Sequence, residues 1–214
     1  MNLLIDNQYL ASFIFYKISI NCSNIEFEQY ENWQKMSFRN RCRIGTANGS
    51  LDLSIPVVGG RNVDRKIKEV KIDNGQSWQK RHWRSVFSAY NHSPWFEFYK
   101  FEMEKFYNTP YRFLWDWNLD LHYWIQEKLE LNIPISFSPD YKNDRMTENT
   151  FDFRNRILPK NISAFDNYCP VYNQVFADRN GFVPNLSIID LLFCEGPRAA
   201  VDLLKKQPLT DWNI

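Results

Sequence analysis

Leu3, Leu4 and Ile5 form an unbroken apolar run, the pattern of a strand buried on both faces. Tyr9 to Ile20 follows with helical length, and Ile25 to Tyr30 then alternates Ile25, Phe27 and Gln29 against Glu26, Glu28 and Tyr30. Strand, helix, strand in that order predicts a right-handed parallel crossover.

The next alternation runs through Met36, Phe38, Asn40, Cys42 and Ile44 on one side. Lys35, Ser37, Arg39, Arg41 and Arg43 take the other, so three guanidinium groups are expected on the solvent face of one strand. Asn48-Gly49 is a hairpin signal, and Leu51, Leu53, Ile55 and Val57 alternate beyond it. With Asn48-Gly49 as a two-residue loop, Ile44 would face Leu53, Cys42 would face Ile55, and Asn40 would face Val57. Asn40 is then the one polar residue on an apolar face. Its amide would either pin a neighbouring backbone or point into a pocket.

Further along, Val58 to Lys66 reads as a loop and Ile67 to Ile72 as a strand. Ser77 is placed to cap a helix from Trp78 to about Tyr90, and Ser93-Pro94 to open the next. Phe113 to Leu131 carries the clearest apolar helical stripe. Ile133 to Phe137 reads as a strand, and polar Ser138 to Asn149 as a mobile loop. Ser187 to Asp190 has capping-box spacing, Gly196-Pro197 stops that helix, and a last helix covers about Pro197 to Lys205. The tetrapeptide FRNR occurs at Phe38 and again at Phe153, but the flanks differ and the recurrence reads as chance. These elements predict one α/β domain over residues 1–205, with a mixed parallel/antiparallel sheet and packed helices, and a tail at 206–214.

Composition adds three points. Aromatic residues make up 17% of the 214 residues, so some rings should face a groove or partner. Residues 35–84 hold 12 Lys and Arg against 4 Asp and Glu, a balance of +8 in a chain whose total is +1. That segment would attract phosphates, carboxylates or acidic surfaces. Cys22, Cys42, Cys169 and Cys194 form no metal-type spacing and read as reduced thiols. With no secretory signal and no run able to span a bilayer, the expected location is cytoplasmic and no membrane insertion is implied.

The common catalytic motifs are absent: no Gly-rich phosphate loop, no GxSxG and no metal-spaced His pair, so no cofactor or metal is expected. His82 lies among Trp78, Lys80, Arg81 and Arg84. Those cations would favour a neutral imidazole able to act as a base.

The stretches YENWQKMSFRNRCRI, LSIPV, VKID, SWQKRHWRSVFSAY, SPWFEFY and QVFADRNGFVPNLSIIDLLFCEGP resemble the WbqC-like family of bacterial proteins over about residues 1–205. The resemblance implies an association with surface-polysaccharide (O-antigen) biosynthesis and amino-acid or acyl transfer to an amino sugar. Family members begin with a strand followed by His-Gln-Pro-x-Tyr-Leu-Pro. Here Tyr9 and Leu10 remain, while the His and both Pro do not.

Two functions fit these residues. The first is a transferase-like enzyme acting on an activated anionic small molecule, such as a nucleotide-linked sugar or an acyl donor. His82 and Asn40 would stand at the reacting group. Arg39, Arg41, Arg61, Lys80 and Arg84 would hold the anion, with Trp78, Trp33 and Tyr9 shaping the site. The second is a non-catalytic protein whose basic, aromatic-rich face holds nucleic acid or an acidic partner. The near-neutral total charge weighs against it. Convergence of Arg39, Arg41, Asn40 and His82 on one pocket would favour the first, and arginines along a flat face the second.

Overall fold

A computed structural model of the protein describes residues 1–60, 65–141 and 149–206. The chain opens with β1 (Asn2–Ile5), α1 (Phe13–Ser19) and β2 (Asn24–Phe27). β1 and β2 pair in parallel, with Leu3 opposite Ile25 and Ile5 opposite Phe27. β5 (Ile135–Phe137) adds in parallel to β2, and β6 (Thr150–Asp152) to β1, giving the order β5-β2-β1-β6. Leu3, Leu4 and Ile5 are fully buried, as a two-sided parallel strand requires. Every residue of α1 is buried, and the helix packs against α6 (Ile188–Lys205). Burying Phe13, Ile14, Phe15 and Ile18 contributes about 1.5–3 kcal/mol each. Lys17 is buried with them because its Nζ donates to the backbone carbonyls of Leu204, at 3.3 Å, and Lys206. A cation there complements the carbonyl end of α6.

β3 (Arg41–Thr46) and β4 (Gly49–Ser54) form a separate antiparallel hairpin, so parallel and antiparallel pairing occur in two sheets rather than one mixed sheet. The turn is Ala47-Asn48, not Asn48-Gly49. Gly49 takes φ +98°, and Thr46 Oγ1 donates to the Gly49 carbonyl at 2.9 Å. Cys42 therefore faces Leu53, Ile44 faces Leu51, and Arg43 faces Asp52. The register differs from the expected one by two residues. An even shift leaves each side chain on its expected face, and Cys42, Ile44 and Leu53 are buried.

α2 (Trp78–Tyr90), α3 (Phe96–Asn108) and α4 (Leu114–Lys128) follow. α2 begins where Ser77 predicts, although the Ser77 hydroxyl makes no cap bond. Residues 67–72 are not a strand. Ile67–Glu69 is a 3-10 turn, and Lys71 and Ile72 make single bridges to Phe113 and Val57. The expected mobile loop falls largely on 142–148, outside the described residues. The short α5 (Ala177–Asn180) precedes α6. α6 bends at Gly196, whose φ of +77° ends the first half where Gly-Pro predicts. The expected cap by Asp190 does not form. Ser187 Oγ instead donates to the Leu10 carbonyl at 2.7 Å, and Asp190 accepts from Tyr90 Oη at 2.9 Å and Tyr172 Oη at 2.7 Å. Burial raises the Asp190 carboxyl to about 6.

Candidate functional site

In open parallel sheets, ligands sit beyond the carboxyl ends of the strands, where the connections diverge to either side. Here β1 leads to β2 on one side, while β6 joins β1 on the other. The residues just past these strand ends are polar: Asp6 after β1, Glu28 after β2 and Ser138 after β5 are buried, while after β6 Arg154 is half-buried and Asn155 is exposed.

Two buried ion-pair clusters tie these ends together. In the first, Arg39 donates from Nε to Glu31 Oε1 at 2.7 Å and from Nη2 to Glu31 Oε2 at 2.5 Å. Nη2 also reaches Asn155 Oδ1 at 2.8 Å and lies 3.6 Å from Asp6 Oδ1. Asp6 Oδ1 accepts from the Asn155 backbone N–H at 2.8 Å, and Asp6 Oδ2 from Gln8 Nε2 at 2.9 Å. In the second, Glu28 accepts from Ser138 Oγ at 2.7 Å and from Arg154 Nη1 at 3.0 Å, while Arg154 also grips Asp152. Both arginines come from the two FRNR segments, Phe38–Arg41 and Phe153–Arg156, which meet at the end of β1.

Over the first cluster lies a cavity of about 340 Å³. Glu31 and Asn155 line it with Tyr30, Trp33, Gln34 and Tyr141. Lys66 also borders it, with Nζ donating to Asn32 Oδ1 at 2.8 Å. Burial drives the Glu31 carboxyl up to about 7; Arg39 opposes the shift, and the nearby Asp6 and Glu28 charges add to it. Desolvation of the carboxylate outweighs the pull of the Arg39 guanidinium, which Glu31 shares with Asp6. At neutral pH Glu31 is poised to give or take a proton.

Arg39 is thus not on a solvent face. β3 begins only at Arg41, after a turn in which Met36 takes φ +56°, and that turn directs Arg39 into the core at 0% exposure. With its charge held by Glu31 and Asp6, Arg39 supports the cavity from beneath instead of presenting a free cation. Arg43 pairs with Asp52 on the surface at 2.7 Å. Arg41 lines a second, smaller cavity with Asn40, Lys35 and Trp33. Asn40 pins backbone: its Nδ2 donates to the Ile55 carbonyl at 2.8 Å, and the Ile55 N–H returns a bond to the Asn40 carbonyl at 2.9 Å.

His82 lies elsewhere, in a buried cluster. Tyr9 Oη is 3.1 Å from His82 Nδ1 and 2.7 Å from Tyr107 Oη. The imidazole is held down near 4, chiefly by burial, with Arg81 a smaller contribution. It is neutral, as its basic neighbours suggested, but desolvation is the main cause. Trp78 is fully buried against His82 and Trp117, so no ligand can stack on it in this arrangement. Lys80 is exposed on α2. Arg84 lines a different cavity, of about 440 Å³, with Ser85, Ser88, Thr46 and Asn48. Arg61 lies outside the described residues. The proposed set therefore does not converge on one pocket, and it does not form one flat arginine face either.

Sequence reasoning missed Asp6, Glu28, Glu31, Arg154 and Asn155. A signal was present: Asp6 and Glu28 each directly follow a buried strand, and FRNR occurs twice. Among the described residues, no group of His, Cys, Asp and Glu has the makings of a metal site, and no helix is long and apolar enough to cross a membrane.

Fold and cleft together define an α/β protein whose polar, aromatic-walled cavity opens at the carboxyl ends of a parallel sheet. The chain belongs to the WbqC-like protein family, whose sequence profile matches residues 9–162 and 161–202. It is also similar to the uncharacterized protein Rv1507c of Mycobacterium tuberculosis (strain ATCC 25618 / H37Rv), being 40% identical over 63 residues. That match spans 28% of this chain and 27% of the relative, about a quarter of the relative's length. No solved structure matches the chain.

Proposed function

We propose that this protein is a transferase-like enzyme that binds a small polar substrate in the cavity above Glu31 and uses that carboxyl for proton transfer. The observation that carries this reading is Glu31 itself: buried at the floor of a cavity at the strand ends, gripped by Arg39, with its pKa raised to about 7. Tyr30, Trp33 and Tyr141 offer faces for a ring, while Gln34, Asn32 and Asn155 offer polar contacts, a combination suited to a sugar. The association of WbqC-like proteins with surface polysaccharide makes an activated, sugar-linked or acyl donor the substrate class to try first. Four buried, free thiols support a cytoplasmic setting for this reaction.

A thermal-shift screen with nucleotide sugars, nucleotides, amino acids and short RNAs tests the reading. Stabilisation by nucleotide sugars or amino acids, lost in Glu31→Gln and Trp33→Ala, is the expected result. Stabilisation by RNA alone would overturn it.

A further inference from the structure

Of the three alternating arginines, two have carboxylate partners: Arg39 is held by Glu31 and Asp6, and Arg43 by Asp52. Arg41 differs. Among the described residues it makes no ion pair, and its Nε is buried with no hydrogen-bond partner. A buried guanidinium N–H without an acceptor is costly, because desolvation is not offset. Such a group marks a place where an acceptor belongs.

The space beside Arg41 is the cavity of about 170 Å³ lined by Trp33, Lys35, Met36, Asn40 and Pro56. It contains two cations and, among its lining residues, no carboxylate. The larger cavity next to it contains Glu31, and Trp33 lines both. Trp33 Nε1 is itself a buried donor with no partner. Trp33 thus lies between a cavity whose lining includes the Glu31 carboxyl and one whose lining carries two cations and no carboxylate, and the unpaired donors beside it lack acceptors.

The geometry points to the Arg41 cavity as an oxyanion subsite, which receives the phosphoryl or carboxylate end of the substrate whose polar ring lies above Glu31. Arg41 supplies the fork, Lys35 the outer charge, and Trp33 the divider that sets the spacing between ring and anion. The inference rests on the Glu31 reading for the identity of that ring, but the anion site has its own evidence in Arg41. It also explains the alternating arginines: the first supports the catalytic floor, the second meets the ligand, and the third pairs on the surface.

Titration calorimetry at low ionic strength tests this with inorganic pyrophosphate and succinate as probes. Saturable binding of either, weakened at least tenfold by Arg41→Gln and measurably by the exposed Lys35→Gln, is expected. Arg43→Gln should leave it within twofold. The better probe tells whether the subsite takes phosphoryl or carboxylate. No saturable binding of either probe, an unaffected Arg41→Gln, or equal losses in Arg41→Gln and Arg43→Gln would overturn the inference. If the probes fail while nucleotide sugars still stabilise the protein, the subsite falls and the Glu31 reading stands. If pyrophosphate binds and no sugar-linked or acyl donor does, the reverse holds.

Discussion

Arg39 donates from Nη2 to Asn155 Oδ1 at 2.8 Å, a bond between residues 116 positions apart that joins the two FRNR segments. Asn155 holds φ +60°, a left-handed conformation that Asn tolerates better than Ala. Asn155→Gly should therefore cost about 1.5–3 kcal/mol, the loss of a hydrogen bond to a charged group. Asn155→Ala should cost about 1 kcal/mol more, because it also strains the backbone. Urea denaturation of both variants checks the order. Equal losses would show that the backbone conformation carries no cost.

Arg39→Met leaves Glu31 and Asp6 buried without their shared cation. The expected loss is about 3–5 kcal/mol, in the range seen when one partner of a buried ion pair is removed. Glu31→Gln should cost less, since Arg39 keeps Asp6 and an amide acceptor. Denaturation curves giving Glu31→Gln the larger loss would contradict the arrangement.

His82 and His122 are held down to about 4 and about 3, in both cases chiefly by burial. In the unfolded chain each takes up a proton near pH 6.5, well before the folded protein does. Acidification from pH 6.5 toward 4 therefore favours unfolding. Glu31 and Asp190, raised to about 7 and about 6, act oppositely: their contribution falls as pH rises from about 4. His122→Asn should flatten the loss between pH 6.5 and 4 by on the order of 2 kcal/mol. Parallel stability curves for wild type and variant would contradict this.

A Cβ added at Gly196 would lie 2.2 Å from Trp95 Cε2, and the residue holds φ +77°. Gly196→Ala combines a clash with strain, and should cost about 3 kcal/mol or more. A melting temperature within a few degrees of wild type would show that the α6 bend can relax.

Much of the fold was legible because local periodicity decides it. Leu3 to Ile5 could be little other than a buried strand, Trp78 to Tyr90 carried a start signal at Ser77, and Phe113 to Leu131 carried an apolar stripe. The hairpin survived a register error, since a shift of two keeps every side chain on its face. Arg39 was misread for a physical reason. It shares the parity of Arg41 and Arg43, but the strand begins after it, and parity says nothing about a residue in a turn. The floor of the cleft draws on Asp6, Glu31, Arg39 and Asn155, brought together only by sheet order. No local pattern carries that order, although the acids directly after β1 and β2 hint at where a site forms.

The most direct measurement is a crystal structure with the nucleotide sugar or acyl donor that stabilises the protein best. The account predicts density in the cavity of Tyr30, Trp33, Tyr141 and Asn155, with the reacting group at Glu31 and the anionic end toward Arg41. A ligand seated instead beside Arg84, Ser85 and Ser88, with the Glu31 cavity empty, would contradict it.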